Sequence, residues 1–356
     1  MLSRDQIREF SKRLAIDENT IIREYIQIVF LSILYSIKES QQIYFKGGTA
    51  IRLLFTASRF SEDLDFTAEL EVETLNRVVR ETVKKIDFIV PGVRLKKNDE
   101  GQRSYTGILS YQPEGMKYPL NIHLDFSIRE KPETSEQTVL ETDFPVIPQP
   151  VIRHLGWSEV LAEKIRALLV RSKGRDIYDL WFMLSKGVEL DWGMINRKTK
   201  TYDLKTSLEH VTQCVEEFDD DQINNDLGKF LPASDRTLVS HLKELALRQL
   251  RSRQRFTITK SDNLDYSRMP GGSFSKGEEL LYDLRETGIA AIVRRDENTL
   301  VVNIDLSKGG KRVGYIRART RNGVRELNVV VANSTQFIGQ SYAELIAHEF
   351  VSPVLS

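Results

Sequence analysis

Several features that would place a protein in a specialised class are missing from this sequence. Cys214 is the sole cysteine among 356 residues, which excludes an internal disulfide framework and any four-cysteine zinc site. The longest apolar-rich stretch, Ile26 to Ile37, is too short to span a bilayer and is interrupted by Gln27 and Ser32. Met1 to Lys12 is charged and lacks the apolar segment of a secretion signal. We therefore expect a cytoplasmic protein that makes no membrane contact.

The sequence also lacks net charge, because 51 basic residues balance 51 acidic residues. The total therefore does not indicate a nucleic-acid partner. The distribution is uneven, however: Lys243 to Lys260 carries six basic residues against one acid, and Lys311 to Arg325 carries six against none. Such segregation can create a basic face on a neutral protein, although a solvated surface gives the same pattern.

Within residues 1–150 the hydrophobic pattern changes repeatedly between the helical and the strand period. Helices are predicted from residue 5 to about residue 40, with Thr20 as the candidate cap of the second one, and at 49–56 and 71–85. Strands are predicted at 43–45, 64–66, 105–111 and 120–128. This mixture indicates an α/β core domain with a small mixed sheet and flanking helices.

Two further regions follow the core domain. Residues 151–255 come after a proline-rich connector and are predicted to be helical, with loops at 196–201 and 232–235. A polar stretch at 261–275 then leads to an α+β module, in which turn sequences separate four strands of an antiparallel meander. Helices are predicted on either side of the meander, at 276–286 and 343–350. The predicted domains are 1–150, 151–255 and 276–356.

One short segment contains two features of phosphate chemistry. A predicted strand ends at the start of a helix in Lys46-Gly47-Gly48-Thr49. Glycines let backbone N–H groups approach a phosphate closely, and a helix N-terminus favours an anion. If the segment around Asp63 and Asp65 is extended, both carboxylates project to the same side. Two carboxylates on one edge are suitable ligands for a Mg²⁺ ion that also binds a triphosphate. Arg59 and Ser61 precede the pair.

Each feature alone is common. Gly-Gly before a helix is usually only a turn, and Asp-x-Asp usually lies on a solvated loop. The spacing is more specific, because thirteen residues separate Gly48-Thr49 from Asp63-Leu64-Asp65. A glycine turn followed at about this separation by Asp-x-Asp is the pattern of nucleotidyltransferases.

A family resemblance rests first on FKGGTAIRLLF and RFSEDLDF. These segments resemble the AbiEii/AbiGii-type nucleotidyltransferases of the polymerase-β-like superfamily, known as toxins of bacterial toxin–antitoxin and abortive-infection systems. A second block resembles the family's AEK-x-x-A-L and R-x-x-x-RD-x-x-DL motifs, through Ala162-Glu163-Lys164, Arg171, Arg175-Asp176 and Asp179-Leu180. The resemblance covers residues 3–184, and none is found from residue 275 onward.

The resemblance implies roles for individual residues. Asp63 and Asp65 would bind the metal, with two Mg²⁺ ions expected. Lys164 would contact the nucleotide phosphates, and Asp176 would complete the acidic catalytic site. The triphosphate of the incoming NTP would be held by the glycine turn and the residues before the carboxylates, namely Lys46, Gly47, Gly48, Thr49, Arg59 and Ser61.

Two assignments stay open at this point. Asp125 lies between apolar residues of a predicted strand, where polymerase-β-type enzymes often place a third carboxylate. It could bind metal, or orient or deprotonate the acceptor hydroxyl, but Asp176 competes for the role of the acid. Arg59 and Arg175 could stabilise the pyrophosphate leaving group, or could equally be structural partners of acidic residues such as Asp179.

The expected function is transfer of a nucleoside monophosphate from an NTP to RNA. By resemblance the acceptor would be the 3′ end of tRNA, and translation would stop until an antitoxin intervenes, as in phage defence. The two basic segments fit an RNA contact. Three alternatives stay open: a protein or small-molecule acceptor, a catalytically silent module that binds RNA or a partner, and a C-terminal module that binds the antitoxin.

Overall fold

The computed structural model of the chain describes residues 1–101, 104–115, 117–200, 202, 204 and 206–251, and beyond these six strands between residues 255 and 332. Side-chain surroundings are described up to residue 251, except for 97–101. Backbone contacts group the chain into two units, Met1–Tyr202 with Cys214–Ala246, and Asp203–Gln213 with Leu247–Ser356. The division into three domains stays a prediction.

Local sequence explains where the helices begin. The second helix starts at Glu18, because the carboxylate of Asp17 accepts a hydrogen bond of 3.0 Å from the backbone N–H of Thr20. Thr20 therefore lies inside the helix and is not its cap. The described helices are α1 (Arg4–Leu14), α2 (Glu18–Leu34), α3 (Gly47–Leu54), α4 (Val72–Ile86), α5 (Trp157–Arg171), α6 (Gly174–Ser185), α7 (Trp192–Lys200), α8 (Leu208–Glu216), α9 (Asp220–Leu227) and α10 (Leu242–Arg251), with 3₁₀ helices at Lys38–Gln42 and Ala233–His241.

A seven-stranded mixed sheet forms the centre of the first unit. Its strands are β1 (Ile43–Lys46), β2 (Leu64–Ala68), β3 (Arg94–Gly101), β4 (Ser104–Tyr111), β5 (Leu120–Ser127), β6 (Ser135–Val139) and β7 (Val151–Leu155). Their order across the sheet is β3-β4-β5-β2-β1-β7-β6. The β2/β5 and β1/β7 pairs are parallel and the others antiparallel. The predicted α/β fold with a mixed sheet is confirmed, with β7 extending the sheet beyond residue 150.

The two faces of this sheet differ in polarity. Along β5 buried and exposed residues alternate, as the strand period requires, so Leu124 and Phe126 face the core while Asp125 faces the other side. Phe66 of β2 stacks on Phe126 with ring centroids 4.4 Å apart, and both rings are fully buried. The apolar residues of α2 and α4 belong to the same core. This core fixes the strands whose opposite face carries the charged residues.

The second unit contains a six-stranded sheet. Its strands are β8 (Arg255–Ser261), β9 (Leu280–Leu284), β10 (Ile289–Arg295), β11 (Val301–Lys308), β12 (Lys311–Arg321) and β13 (Val324–Ala332). The strands β9 to β13 form an antiparallel meander, and β8 pairs with β13 in parallel. The predicted meander is therefore present.

Three predicted elements are wrong, and one of them is the expected loop at 232–235, most of which belongs to the 3₁₀ helix Ala233–His241. The expected helix at 276–286 contains β9, whose backbone pairs with β10, so that pairing within the sheet overrides the local helical pattern. The expected loop at 196–201 is largely α7, whose residues Trp192, Met194 and Ile195 are buried. The predicted helix at 343–350 lies outside the described residues. Among the described helices, none is both long enough and apolar enough to cross a membrane.

Candidate active site

Three charged residues form a row across the polar face of the central sheet. Lys46 of β1 lies opposite Asp65 of β2, and Asp65 lies beside Asp125 of β5. Thr106 of β4 extends the row beyond Asp125. Residues in register on neighbouring strands project from the same face, so these side chains converge. All four line a cleft of about 460 Å³, a size typical of small-molecule sites.

Gly47 permits the close approach of α3 to Asp65. Its φ of +79° is a left-handed conformation that favours glycine, and α3 begins at this residue. A Cβ atom at this position would lie 2.1 Å from Oδ2 of Asp65. The bare backbone therefore brings the N-terminus of α3, which favours anions, next to the carboxylate row.

The next two residues hold the segment that leads to the carboxylates. A Cβ atom on Gly48 would lie 2.5 Å from Nη2 of Arg59 and 3.0 Å from Oγ of Ser61. The buried hydroxyl of Thr49 donates a hydrogen bond to the backbone carbonyl of Asp63. Gly48 and Thr49 thus shape the loop before β2.

The carboxylates of the row influence one another. Burial raises the pKa of Asp65 to about 6, with Lys164 opposing the rise and Asp63 adding to it. Loss of hydration in the cleft also raises the pKa of Asp125, which Lys46 opposes. Burial and the neighbouring carboxylates therefore outweigh the effect of the nearby lysines on the pKa of Asp65.

Lys164 of α5 also lines the cleft. Its Nζ lies 2.7 Å from Oδ2 of Asp179 and 3.8 Å from Oδ1 of Asp176. Burial raises the pKa of Asp179, but Arg59 and Lys164 outweigh that effect and hold it below the usual value. The guanidinium of Arg59 donates from Nε and Nη2 to Asp179 and from Nη1 to the carbonyl of Phe60. Arg59 is thus the structural partner of Asp179.

Asp176 is fully buried and faces two cations rather than the carboxylate row. Arg171 donates to both of its oxygens, from Nε to Oδ2 at 2.9 Å and from Nη2 to Oδ1 at 2.7 Å. Arg171 is the last residue of α5, and its side chain is 44% exposed and lines the cleft. Of the two candidates for the third carboxylate, Asp125 is therefore the one in register with Asp65.

A second ion-pair network holds Lys46. Its Nζ lies 3.1 Å from Oε2 of Glu163, whose pKa falls because Lys46, Arg166 and Lys198 outweigh the effect of burial. Lys198 of α7 is itself buried, 2.7 Å from Glu159 and 3.5 Å from Glu163. The packing of α7 against α5 thus fixes one wall of the cleft.

The predicted residues divide into two groups. The residues among them that line the cleft are Lys46, Gly47, Asp65, Asp125 and Lys164. Those that shape or support it from partly or fully buried positions are Gly48, Thr49, Arg59, Ser61, Asp63 and Asp176. The site also contains Glu163, Arg171 and Asp179, which all lie in the motifs of the second block but have no role there that the sequence alone indicates.

The donor chemistry suits a hard divalent cation. Asp63, Asp65 and Asp125 offer only carboxylate oxygens, and their mutual repulsion helps to raise the pKa of Asp65, an effect that a bound cation would reverse. In the part of the chain that the structure describes, no three His, Cys, Asp or Glu side chains already stand in the arrangement of a metal centre. The three carboxylates fit a divalent cation by their chemistry. Oxygen atoms of a bound ligand would have to complete the coordination of that cation.

Comparisons with known proteins gave one family match and several similarities to solved structures. The family model described as "Nucleotidyl transferase AbiEii toxin, Type IV TA system" matches residues 30–262. JHP933 from Helicobacter pylori is similar in structure, with a TM-score of 0.42 and 20% identity over 67% of this chain and 95% of that one. MenT4, a nucleotidyltransferase toxin from Mycobacterium tuberculosis, gives a TM-score of 0.45 and 18% identity over 70% and 90%. No curated protein sequence matches the chain.

The family match contains the whole cleft, from Lys46 to Tyr202. It confirms the family that the two sequence blocks predicted, and with it an enzyme that uses a nucleoside triphosphate. Because the match covers well over half of its residues, the chain belongs to the AbiEii family of nucleotidyltransferase toxins of type IV toxin–antitoxin systems.

Proposed function

We propose that this toxin transfers a nucleoside monophosphate from an NTP to the 3′ end of tRNA in a Mg²⁺-dependent reaction. The observation that carries the proposal is the register of Asp65 beside Asp125, opposite Lys46, at the N-terminus of α3. Phosphate-binding backbone, carboxylates and fixed cations are the parts that nucleotidyl transfer needs, since its catalysis is mainly positioning and charge stabilisation.

Asp63, Asp65 and Asp125 are the proposed metal ligands, for two Mg²⁺ ions. When bound, the metal supplies positive charge at the reacting phosphate and the leaving pyrophosphate. Gly47 lets the N–H groups of α3 approach the triphosphate, and Gly48, Thr49 and Ser61 hold the turn in that shape. Lys46 of β1 and Lys164 of α5 provide cations in the cleft. Arg59 has a supporting role, through Asp179.

Asp125 is the proposed base. Its carboxylate is exposed to the cleft, where it can accept a proton from a hydroxyl held beside it. The acceptor hydroxyl gives its proton to Asp125 and forms a bond to the α-phosphorus of the NTP. The bond from that phosphorus to the bridging oxygen breaks, and pyrophosphate leaves with the bonding electron pair.

RNA is the proposed acceptor because basic residues are concentrated in two segments of an otherwise neutral chain. The strand β12 covers Arg317, Arg319 and Arg321, which alternate along it. The side chains of Lys311 to Arg325 lie outside the described residues, as does the part of Lys243 to Lys260 after residue 251. Modification of tRNA would stop translation in the cytoplasm and account for a toxin that serves phage defence and needs an antitoxin.

The test is incubation of the purified protein with total tRNA and each α-labelled NTP, with Mg²⁺ or with EDTA. We expect label in RNA with one nucleotide, only with Mg²⁺, and none with Asp65→Asn. The matched control is Asp5→Asn, which removes a carboxylate whose side chain is 96% exposed, outside the cleft. Label in a protein or a small molecule would overturn the RNA acceptor. No label in any acceptor would support a silent binding module.

A further inference from the structure

We infer that Arg171 is a phosphate-binding residue of the cleft and that buried Asp176 acts by holding it in position. The inference rests on the proposed placement of the nucleotide in this cleft. Neither role follows from the family resemblance, which implies a place for Asp176 in the acidic catalytic site and no role for Arg171.

The guanidinium of Arg171 keeps unused donors. A guanidinium has five N–H groups, and Asp176 takes one from Nε and one from Nη2. Among the described residues no other hydrogen bond to this group occurs. Both N–H groups of Nη1 and the second N–H group of Nη2 therefore remain. One N–H of Nη1 and the remaining N–H of Nη2 form a second fork suited to a phosphate.

Arg59 shows what a purely structural arginine looks like in the same molecule. It also binds an aspartate through Nε and Nη2, but its Nη1 donates to the carbonyl of Phe60. Its side chain is only 2% exposed, whereas that of Arg171 is 44% exposed and lines the cleft. Of these two arginines, Arg171 is the one that presents donors to the cleft.

The position of Arg171 on α5 matches that of Lys164. Both residues line the cleft, and seven residues of helix place them on one face at about 10 Å along the axis. Ala167 lies between them and also lines the cleft, so its small side chain leaves room for a ligand that touches both cations. The two place their positive charges along one face of α5.

Asp176 has the contacts of a positioning residue. Oδ2 accepts from Nε of Arg171, and Oδ1 accepts from Nη2 of Arg171 and lies 3.8 Å from Lys164. The carboxylate is 0% exposed, so a metal in the cleft has no direct access to it. Its effect on the ligand passes through Arg171.

The test is calorimetric binding of inorganic triphosphate with Mg²⁺, which needs neither the correct base nor an acceptor. Arg171→Lys keeps a cation for Asp176 and removes the second fork, so we expect about tenfold weaker binding, the effect of losing about 1.4 kcal/mol. The matched control is Arg197→Lys. Arg197 pairs with Glu133 through Nε and Nη2 outside the cleft, so its binding should not change.

A double-mutant cycle tests the role of Asp176. If Asp176 acts through Arg171, the variant carrying both Arg171→Lys and Asp176→Asn binds no more weakly than the weaker single variant. Losses that multiply would show an independent role of Asp176 and overturn the positioning. Binding by Arg171→Lys within twofold of the wild type, or no triphosphate binding by the wild type, would overturn the phosphate contact.

The outcome of the binding experiment can be distinguished from the outcome of the RNA-labelling experiment. Unlabelled RNA with triphosphate binding that depends on Arg171 would reject the acceptor and keep the inference. Labelled RNA with binding that is indifferent to Arg171 would reject the inference alone.

Discussion

Substitution of Gly47 by alanine should both strain the backbone and disturb the site. A left-handed φ costs an L-residue about 1–2 kcal/mol relative to glycine. The new Cβ would in addition lie 2.1 Å from Oδ2 of Asp65, below the 3.0 Å that real Cβ contacts respect, so the carboxylate must move by about 0.9 Å. A displacement of about 1 Å in a catalytic group can cost about 100-fold in rate.

Gly187→Ala is the matched control. Gly187 has a φ of +84°, and a Cβ there would meet nothing within 4 Å. It therefore carries the backbone penalty without the clash. Both variants should lose about 1–2 kcal/mol in denaturant unfolding from the backbone alone. Gly47→Ala should lose more than that and about 100-fold of the NTP-dependent labelling rate, while Gly187→Ala keeps its rate.

Similar behaviour of the two variants would contradict this prediction. Equal losses of stability together with a labelling rate of Gly47→Ala near that of the wild type would mean that α3 does not need its close approach to Asp65.

Three further substitutions probe the supports of the site. Arg59→Ala should destabilise the fold by about 3–5 kcal/mol in denaturant unfolding, since it leaves Asp179 buried without its main partner. The control Arg77→Ala removes an exposed ion pair and should cost at most about 1 kcal/mol. Equal losses in the two variants would contradict this prediction. Thr49→Val should lose about 1 kcal/mol of stability and much of the labelling rate, because the hydroxyl ties α3 to the loop before β2. Thr49→Ser keeps the hydroxyl and should retain the stability and the rate. Glu163 has a lowered pKa, so the stability that it adds is present above its unfolded pKa and disappears as the pH falls through its folded pKa. The wild type should therefore exceed Glu163→Gln in stability at pH 7, and the gap should narrow in thermal unfolding as the pH falls below the ordinary glutamate pKa of about 4.3.

Much of the site can be predicted from the sequence, because strand alternation and turn residues determine where several of its side chains lie. The alternation of β5 is enough to place Asp125 opposite the core, and the glycine turn before a helix is visible in the residues themselves. The family motifs add the order of the two blocks. What these rules cannot supply is which strands pair, and the parallel pairing of β2 with β5 is what brings Asp65 beside Asp125.

The remaining differences come from long-range contacts. Asp176 and Asp179 are three residues apart on one helix, and both are buried with cations from elsewhere in the chain. Whether such a carboxylate faces a ligand or holds an arginine depends on the packing of α6 against α5, which no local pattern records. The helix expected at 276–286 is wrong for the same reason, since β9 is stabilised by its neighbour in the sheet.

The most direct test of the account compares donors labelled at the α- and γ-phosphate, with wild type, Asp125→Asn and Asp176→Asn. Nucleotidyl transfer predicts that α-label enters RNA while γ-label leaves as pyrophosphate. Asp125→Asn should abolish transfer at any NTP concentration, and Asp176→Asn should retain transfer at saturating NTP. Transfer of γ-label, or full activity of Asp125→Asn, would contradict the proposed reaction and its base.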